Sequence, residues 1–129
     1  MSRSDLVKIK EFNIIGSDDR GITTDFNIPR KQDQFIFLTR KSGSLSGNTY
    51  HQGKSLATNP KIFLLLNGSI RLSYRKIGET LVNSIVIDKP STIEISTMVT
   101  HKVEAISDIM MVECNSIADI QSDRNKEDV

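Results

Sequence analysis

The sequence predicts an all-β fold, an antiparallel β-barrel of the jelly-roll type, on three observations. Short runs rich in Ile, Val, Leu and Phe recur at close intervals, bounded by Gly, Pro, Asn and Ser. No helix-period pattern of useful length precedes the final residues. Asn67-Gly68 stands between two strand-like runs and supplies the positive φ values that a two-residue type I′ turn needs.

In chain order, the run FNII at 12–15 ends at Gly16, and QFIFLTR at 34–40 ends ahead of Gly43. GNTYHQ at 47–52 stops at Gly53, while KIFLLL at 61–66 starts after Pro60 and stops at Asn67-Gly68. SIRLSYR at 69–75 leads into a second expected turn at Ile77-Gly78-Glu79, which continues the same meander into 81–88. TIEI at 92–95, MVTHKV at 98–103 and IMMVEC at 109–114 complete the expected strands. Beyond them the chain turns polar, and IADIQSDRNKED is expected to form a short helix or to fray as the least ordered part.

The 129 residues, 37% hydrophobic and 26% charged, suit one domain over 1–129, with a barrel over about 11–115 and a polar tail over 116–129. Seventeen Lys and Arg against 16 Asp and Glu leave a formal charge of +1, too even a balance for a nucleic-acid binder. The single cysteine, Cys114, excludes an internal disulfide framework and a zinc site built from several thiolates. The amino terminus MSRSDLVKIKEFNI has no apolar stretch of signal-peptide length, and the longest apolar run, Ile62 to Leu66, is far short of a membrane span. A cytoplasmic protein with no membrane partner is expected.

The chemistry rests on few residues. Alternation places His101 on the face of Val99 and Val103, where it reads equally as a core histidine satisfied by one hydrogen bond and as a pocket residue. His51, in the polar stretch SGNTYHQGKS, suits a core role less well. Lys61 shares a face with Phe63 and Leu65. It either covers apolar surface with its stem while its head reaches water, or serves as a positioned cation for a developing oxyanion.

The stretch from Gly47 through His51 and Lys61 to Gly68 resembles the first motif of cupins, with Lys61 seven positions before the glycine, where metal-binding cupins carry glutamate. The lysine in that slot, ten residues after His51, is similar to the dTDP-4-dehydrorhamnose 3,5-epimerases and related nucleotide-sugar isomerases, which work without metal. The segment SDDRGITTDF, with Asp18, Arg20, Gly21, Asp25 and Phe26, resembles the Asp-x-Arg-Gly entry of that family, and His101 falls in the histidine slot of the second cupin motif. Asn48 and Thr49 stand where those epimerases carry Arg-Gly, and Ser96 and Met98 replace a Pro and a Gly. No counterpart is visible for the family's acid tyrosine or for the C-terminal aspartate that orients the histidine.

The resemblance implies a cupin barrel and a homodimer in which the segment from Lys8 to Phe26 covers a partner's sheet edge. It implies His51, Lys61 and His101 as catalytic residues, with Arg20, Tyr50, Arg71 and Tyr74 as substrate-binding candidates, no cofactor and no metal. The substrate implied is a nucleotide-linked 4-keto-deoxysugar, from which His51 removes a proton α to the ketone while Lys61 stabilises the enolate. His101, Tyr50 and Tyr74 are candidates to return the proton. The alternative is a sugar-binding or structural cupin without turnover, and a metal enzyme is a weaker third reading.

Overall fold

The computed structural model describes residues 5–129, so the first four residues of the stretch expected to lack a leader lie outside the described ones. The described residues form β1 (Val7–Glu11), β2 (Asn13–Asp18), β3 (Gly21–Asp25), β4 (Ile36–Arg40), β5 (Leu45–Tyr50) and β6 (Lys61–Asn67). There follow β7 (Ile70–Lys76), β8 (Asn83–Ile87), β9 (Ser91–Ile95), β10 (Val99–Ala105), β11 (Ile109–Glu113), α1 (Ile117–Ser122) and β12 (Asn125–Lys126). Two five-stranded antiparallel sheets, in the orders β1-β9-β6-β11-β4 and β12-β5-β10-β7-β8, pack face to face, and β2-β3 forms a separate ribbon. This is the all-β, antiparallel jelly-roll architecture expected from the sequence.

Both sheets feed one core. Leu65, Ile93 and Met111 from the first meet Ile70, Leu72 and Val103 from the second. The outer face of β6 is covered too: Ile62 and Leu64 pack with Cys114 under Phe12 and Ile28. The uninterrupted apolar run of β6 follows from burial on both faces, which removes the need for polar alternation.

The hairpin expected at Asn67-Gly68 does not form. β6 pairs with β9 and β11, β7 pairs with β10 and β8, and the chain crosses between sheets at this point. Turn propensity fixes a local reversal but not which sheet receives the returning strand. Gly68 keeps its positive φ of 92°, and a Cβ there would lie 2.3 Å from the carbonyl oxygen of Asp108. The glycine therefore permits a close loop approach. The turn expected at Ile77-Gly78-Glu79 does close an antiparallel pair, β7 with β8.

The amino-terminal expectation of one strand at 12–15 is also corrected. Phe12 separates two strands, of which β1 adds an edge to β9 of its own chain. The tail does more than fray. Ser116 and Asp119 form a reciprocal capping box that starts α1, and β12 then pairs with β5.

Candidate functional site

Between the sheets lies a cavity of about 210 Å³ whose inner wall includes His51, Lys61, Phe63, His101 and Glu113. Strand alternation delivers four of them. Val99, His101 and Val103 are buried on one face of β10; Lys61, Phe63 and Leu65 share a face of β6; and Ile109, Met111 and Glu113 share a face of β11.

His51 arrives by a different device. Along β5, Ser46 pairs with Val103, Gly47 with Lys102, and Thr49 with His101, so Asn48 is an extra residue. Gly47 has φ 109° and Asn48 has φ 57°, and a Cβ on Gly47 would lie 2.6 Å from the carbonyl oxygen of His101. This bulge shifts the inward parity from Ser44 and Ser46 to Thr49 and His51, all four of which line the cavity.

Both imidazoles are held by backbone. His51 Nδ1 lies 2.5 Å from the carbonyl oxygen of Asp123, and His101 Nδ1 lies 3.1 Å from that of Val99. A carbonyl only accepts, so each Nδ1 carries the proton and each neutral ring keeps its lone pair on Nε2. Burial pushes the His51 pKa below its ordinary value of 6.5, outweighing the Asp123 carbonyl, and Lys61 adds to the lowering. Burial takes His101 down to about 3. Near neutral pH both rings are therefore uncharged, with centroids 5.5 Å apart.

The Lys61 ammonium is 2% exposed. It donates to Glu113 Oε1 at 2.8 Å and to Asn115 Oδ1, and it sits 5.0 Å from the centroid of the Phe63 ring. Burial lowers its pKa, with Glu113 opposing that shift. An ammonium has three protons, so one remains for a ligand.

The tail supplies what sequence reading missed. The Asp123 carboxylate, on a residue 1% exposed, accepts from the backbone N–H groups of Gln52, Gly53 and Lys54 at 2.8, 2.8 and 2.9 Å and from Thr58 Oγ1 at 2.9 Å. Burial alone would raise its pKa, but those four donors hold it down at about 2. The C-terminal aspartate with no visible counterpart thus has a partial equivalent: Asp123 orients His51 by its carbonyl and fixes the following loop by its carboxylate. Glu113 and Asn115, which grip Lys61, were also missed.

Four expected substrate-binding residues are not in the cavity wall. Arg20 lies on the exposed β2-β3 ribbon, paired with Asp18 at 2.7 Å. Tyr50 neighbours His51 in an extended strand and so faces the other way. Arg71 pairs with Glu104 on the outer face of its sheet. Tyr74 stands opposite His101 in register, but it packs on the core beyond the cavity.

The residues do not fit a metal centre. The cavity wall offers two histidines and one carboxylate, and Lys61 already holds that carboxylate, Glu113. No group of three or more His, Cys, Asp or Glu among the described residues could hold a metal ion. No described helix is long and apolar enough to cross a membrane.

Three solved structures show the same fold. A double mutant of the 3,4-ketoisomerase QdtA from Thermoanaerobacterium thermosaccharolyticum, in complex with TDP, is 19% identical, with a TM-score of 0.73 over 98% of this chain and 90% of the other. The dTDP-6-deoxy-D-glucose-3,5-epimerase RmlC from Legionella pneumophila, in complex with dTDP-4-keto-L-rhamnose, is 18% identical, with a TM-score of 0.64 over 89% and 69% of the two chains. The capsular polysaccharide assembling protein CapF from Staphylococcus aureus is 21% identical with a TM-score of 0.61; the match covers 92% of this chain and 34% of CapF, so the chain spans about a third of that protein. No curated protein matches the chain. Residues 16–128, which hold both sheets apart from β1 and every residue of the cavity, match the model of the polysaccharide biosynthesis C-terminal domain, and the chain belongs to that family.

Proposed function

We propose that this protein is a metal-independent isomerase of a nucleotide-linked 4-keto-deoxysugar. The observation that carries the reading is His51. Its Nδ1 proton is committed to Asp123, leaving a basic Nε2 in a cavity that also holds the Lys61 ammonium. A proton α to a ketone is acidified by an ammonium near the carbonyl oxygen, and a positioned imidazole removes it. The nucleotide-linked substrate is supported by the TDP and dTDP-sugar bound in two structures of the same fold.

The site suits a 3,4-ketoisomerisation better than an epimerisation. Inverting a carbon calls for an acid on the opposite face of the ring, and no phenol lines the cavity. Moving a ketone to the neighbouring carbon calls for a base at carbon and a relay between two oxygens. In this scheme His51 takes the proton from the hydroxyl-bearing carbon and returns it to the former carbonyl carbon. His101 carries the hydroxyl proton to the other oxygen, while Lys61 stabilises the enolate. All protons are conserved, and no cofactor is required.

A second reading, a sugar-binding cupin without turnover, is favoured by one observation: Glu113 and Asn115 already satisfy two donors of Lys61. Proton exchange followed by NMR in deuterated water, against a panel of nucleotide-linked 4-keto-sugars, separates the two. Loss of the α-proton signal supports the isomerase. Binding of a nucleotide-sugar with neither proton exchange nor migration of the ketone for any member of the panel overturns it in favour of the binding protein.

A homodimer and a cytoplasmic location accompany this reading. The β2-β3 ribbon exposes Ile14, Ile15 and Ile22, an apolar surface suited to a second copy, and Arg20 on that ribbon would serve the partner's cavity rather than its own. Cys114 is buried and free, as suits a reducing compartment. Sedimentation equilibrium giving a monomer at micromolar concentration would count against the dimer.

A further inference from the structure

We infer that Arg40, Arg124 and Lys126 form a diphosphate-binding subsite at the cavity mouth, supplied mainly by the carboxy-terminal segment. The inference rests on the proposed nucleotide-linked substrate and assigns the residues that hold its charged part.

The charge distribution points there first. The whole chain carries a formal charge of only +1. Yet the cavity wall holds Arg40, Lys61, Arg124 and Lys126 against a single carboxylate, Glu113, which Lys61 already occupies. Among the described residues, the side chains of Arg124 and Lys126 have no hydrogen-bonding or ion-pair partner, although Arg75, from β7, pairs with Glu127 of the same tail. Arg40 donates Nε to Ser46 Oγ at 3.2 Å and Nη1 to the Thr39 carbonyl at 2.9 Å, which orients the guanidinium and leaves Nη2 free.

Backbone geometry then aims the tail cations. Lys126 pairs directly with Thr49, a buried cavity residue, so the two side chains lie on one face of the sheet. Arg124 is two residues earlier and shares that face. The segment is pinned on both sides. Asp123 is anchored to residues 52–54, Glu127 N–H donates to the Asn48 carbonyl at 3.0 Å, and Val129 N–H donates to Asn48 Oδ1 at 3.1 Å.

The cavity is graded in depth. His51, Lys61 and His101 are buried, whereas Arg40, Arg124 and Lys126 are exposed. A volume of about 210 Å³ suits a sugar ring, which leaves the two phosphates at the mouth among three cations and the nucleoside outside. These cations would take over the role of the arginine that Asn48 and Thr49 have displaced. Because Arg124 follows Asp123, the segment that grips the diphosphate also carries the carbonyl that orients His51.

The test is calorimetric titration of the full chain with UDP, dTDP and inorganic pyrophosphate, using wild type, Arg124→Gln, Lys126→Gln and the double variant, at low and high salt. Each single variant is expected to raise the Kd for the nucleoside diphosphates about tenfold or more. The double variant is expected to lose most of the salt dependence, with an unchanged circular dichroism spectrum. Wild-type protein that binds none of the three probes, or a double variant that binds them as tightly as wild type, overturns the subsite. Arg124-dependent diphosphate binding in a protein that neither exchanges a keto-sugar proton nor moves the ketone upholds the subsite while the isomerase reading falls. Unaltered kcat/KM for a nucleotide-linked keto-sugar in the double variant does the reverse.

Discussion

Replacing Asp123 by Asn changes one oxygen to an amide nitrogen at the point where the tail meets His51, and its cost can be worked from the structure. In the native chain the carboxylate collects three backbone N–H groups and the Thr58 hydroxyl. Its pKa of about 2, against the ordinary value of 3.8, corresponds to about 2 kcal/mol of stability tied to the ionised form. Oδ2 alone accepts from Gly53, Lys54 and Thr58. An amide oriented to keep an oxygen there sets its NH₂ against the Gln52 N–H, and the opposite orientation strands three donors. The total loss is expected at about 2–4 kcal/mol, a drop in Tm of roughly 6–15 °C.

The pH dependence carries the sharper test. The folded-state pKa is depressed, so the contribution is fully present above the unfolded value near 3.8 and is lost as pH falls through about 2. Urea denaturation of wild type and Asp123→Asn between pH 7 and pH 3 is therefore expected to show a constant stability gap down to about pH 4.5 and a narrowing gap below. A gap under about 0.5 kcal/mol at pH 7, or one that stays constant to pH 3, would refute the argument that the carboxylate is an ionised anchor. Turnover is expected to fall even where the variant stays folded at the assay temperature, because residues 52–54 and the carbonyl that orients His51 both lose their reference point.

Three further outcomes are expected. Lys61→Met lowers turnover by about 10² to 10³ and costs about 1–3 kcal/mol, since Glu113 and Asn115 lose their donor; kcat and urea midpoints check both. For His51, whose pKa lies below 6.5, the proposed role as base needs the neutral ring, so the acid limb of the rate is expected to be centred below pH 6.5. An acid limb centred at or above pH 7 contradicts this, and the limb should vanish from the residual rate of His51→Asn. Gly47→Ala forces a side chain at φ 109° to within 2.6 Å of a backbone oxygen, costing about 2–4 kcal/mol and lowering kcat by more than the loss of folded protein explains, as thermal melts and active-site titration would show.

Strand alternation made part of this site legible and also contained information that was passed over. His101 faces inward because it shares parity with Val99 and Val103. The same rule excludes Arg71 once Ile70 and Leu72 are inside, and it places Glu113 beside Met111, a carboxylate on an apolar face that marks a buried partner for a cation. Asp123 could not be read this way. Its contacts are to backbone groups 69 to 72 positions away, made from a polar tail with no periodicity, so neither composition nor pattern distinguishes it from a solvated aspartate. The crossover at Gly68 was hidden for a related reason: a turn residue reports local φ, whereas sheet membership depends on which distant strands complete each layer.

The bulge in β5 shows how a site can contradict simple periodicity and still be written in the chain. Strict alternation from Ser44 and Ser46 would turn Asn48 and Tyr50 inward and point His51 at solvent. One extra residue reverses that parity, but only where the backbone can pass within contact of its neighbour, which requires Gly47, and where a left-handed conformation is tolerated next, which suits Asn48. The Gly47-Asn48 pair therefore sets the parity of β5, since any side chain at position 47 would meet the carbonyl oxygen of His101. With Asn48 and Thr49 standing where the resembling epimerases carry Arg-Gly, the positive charge that the proposed anionic substrate needs has to come from elsewhere on the rim, and the tail strand paired to Thr49 is the element adjacent to the gap.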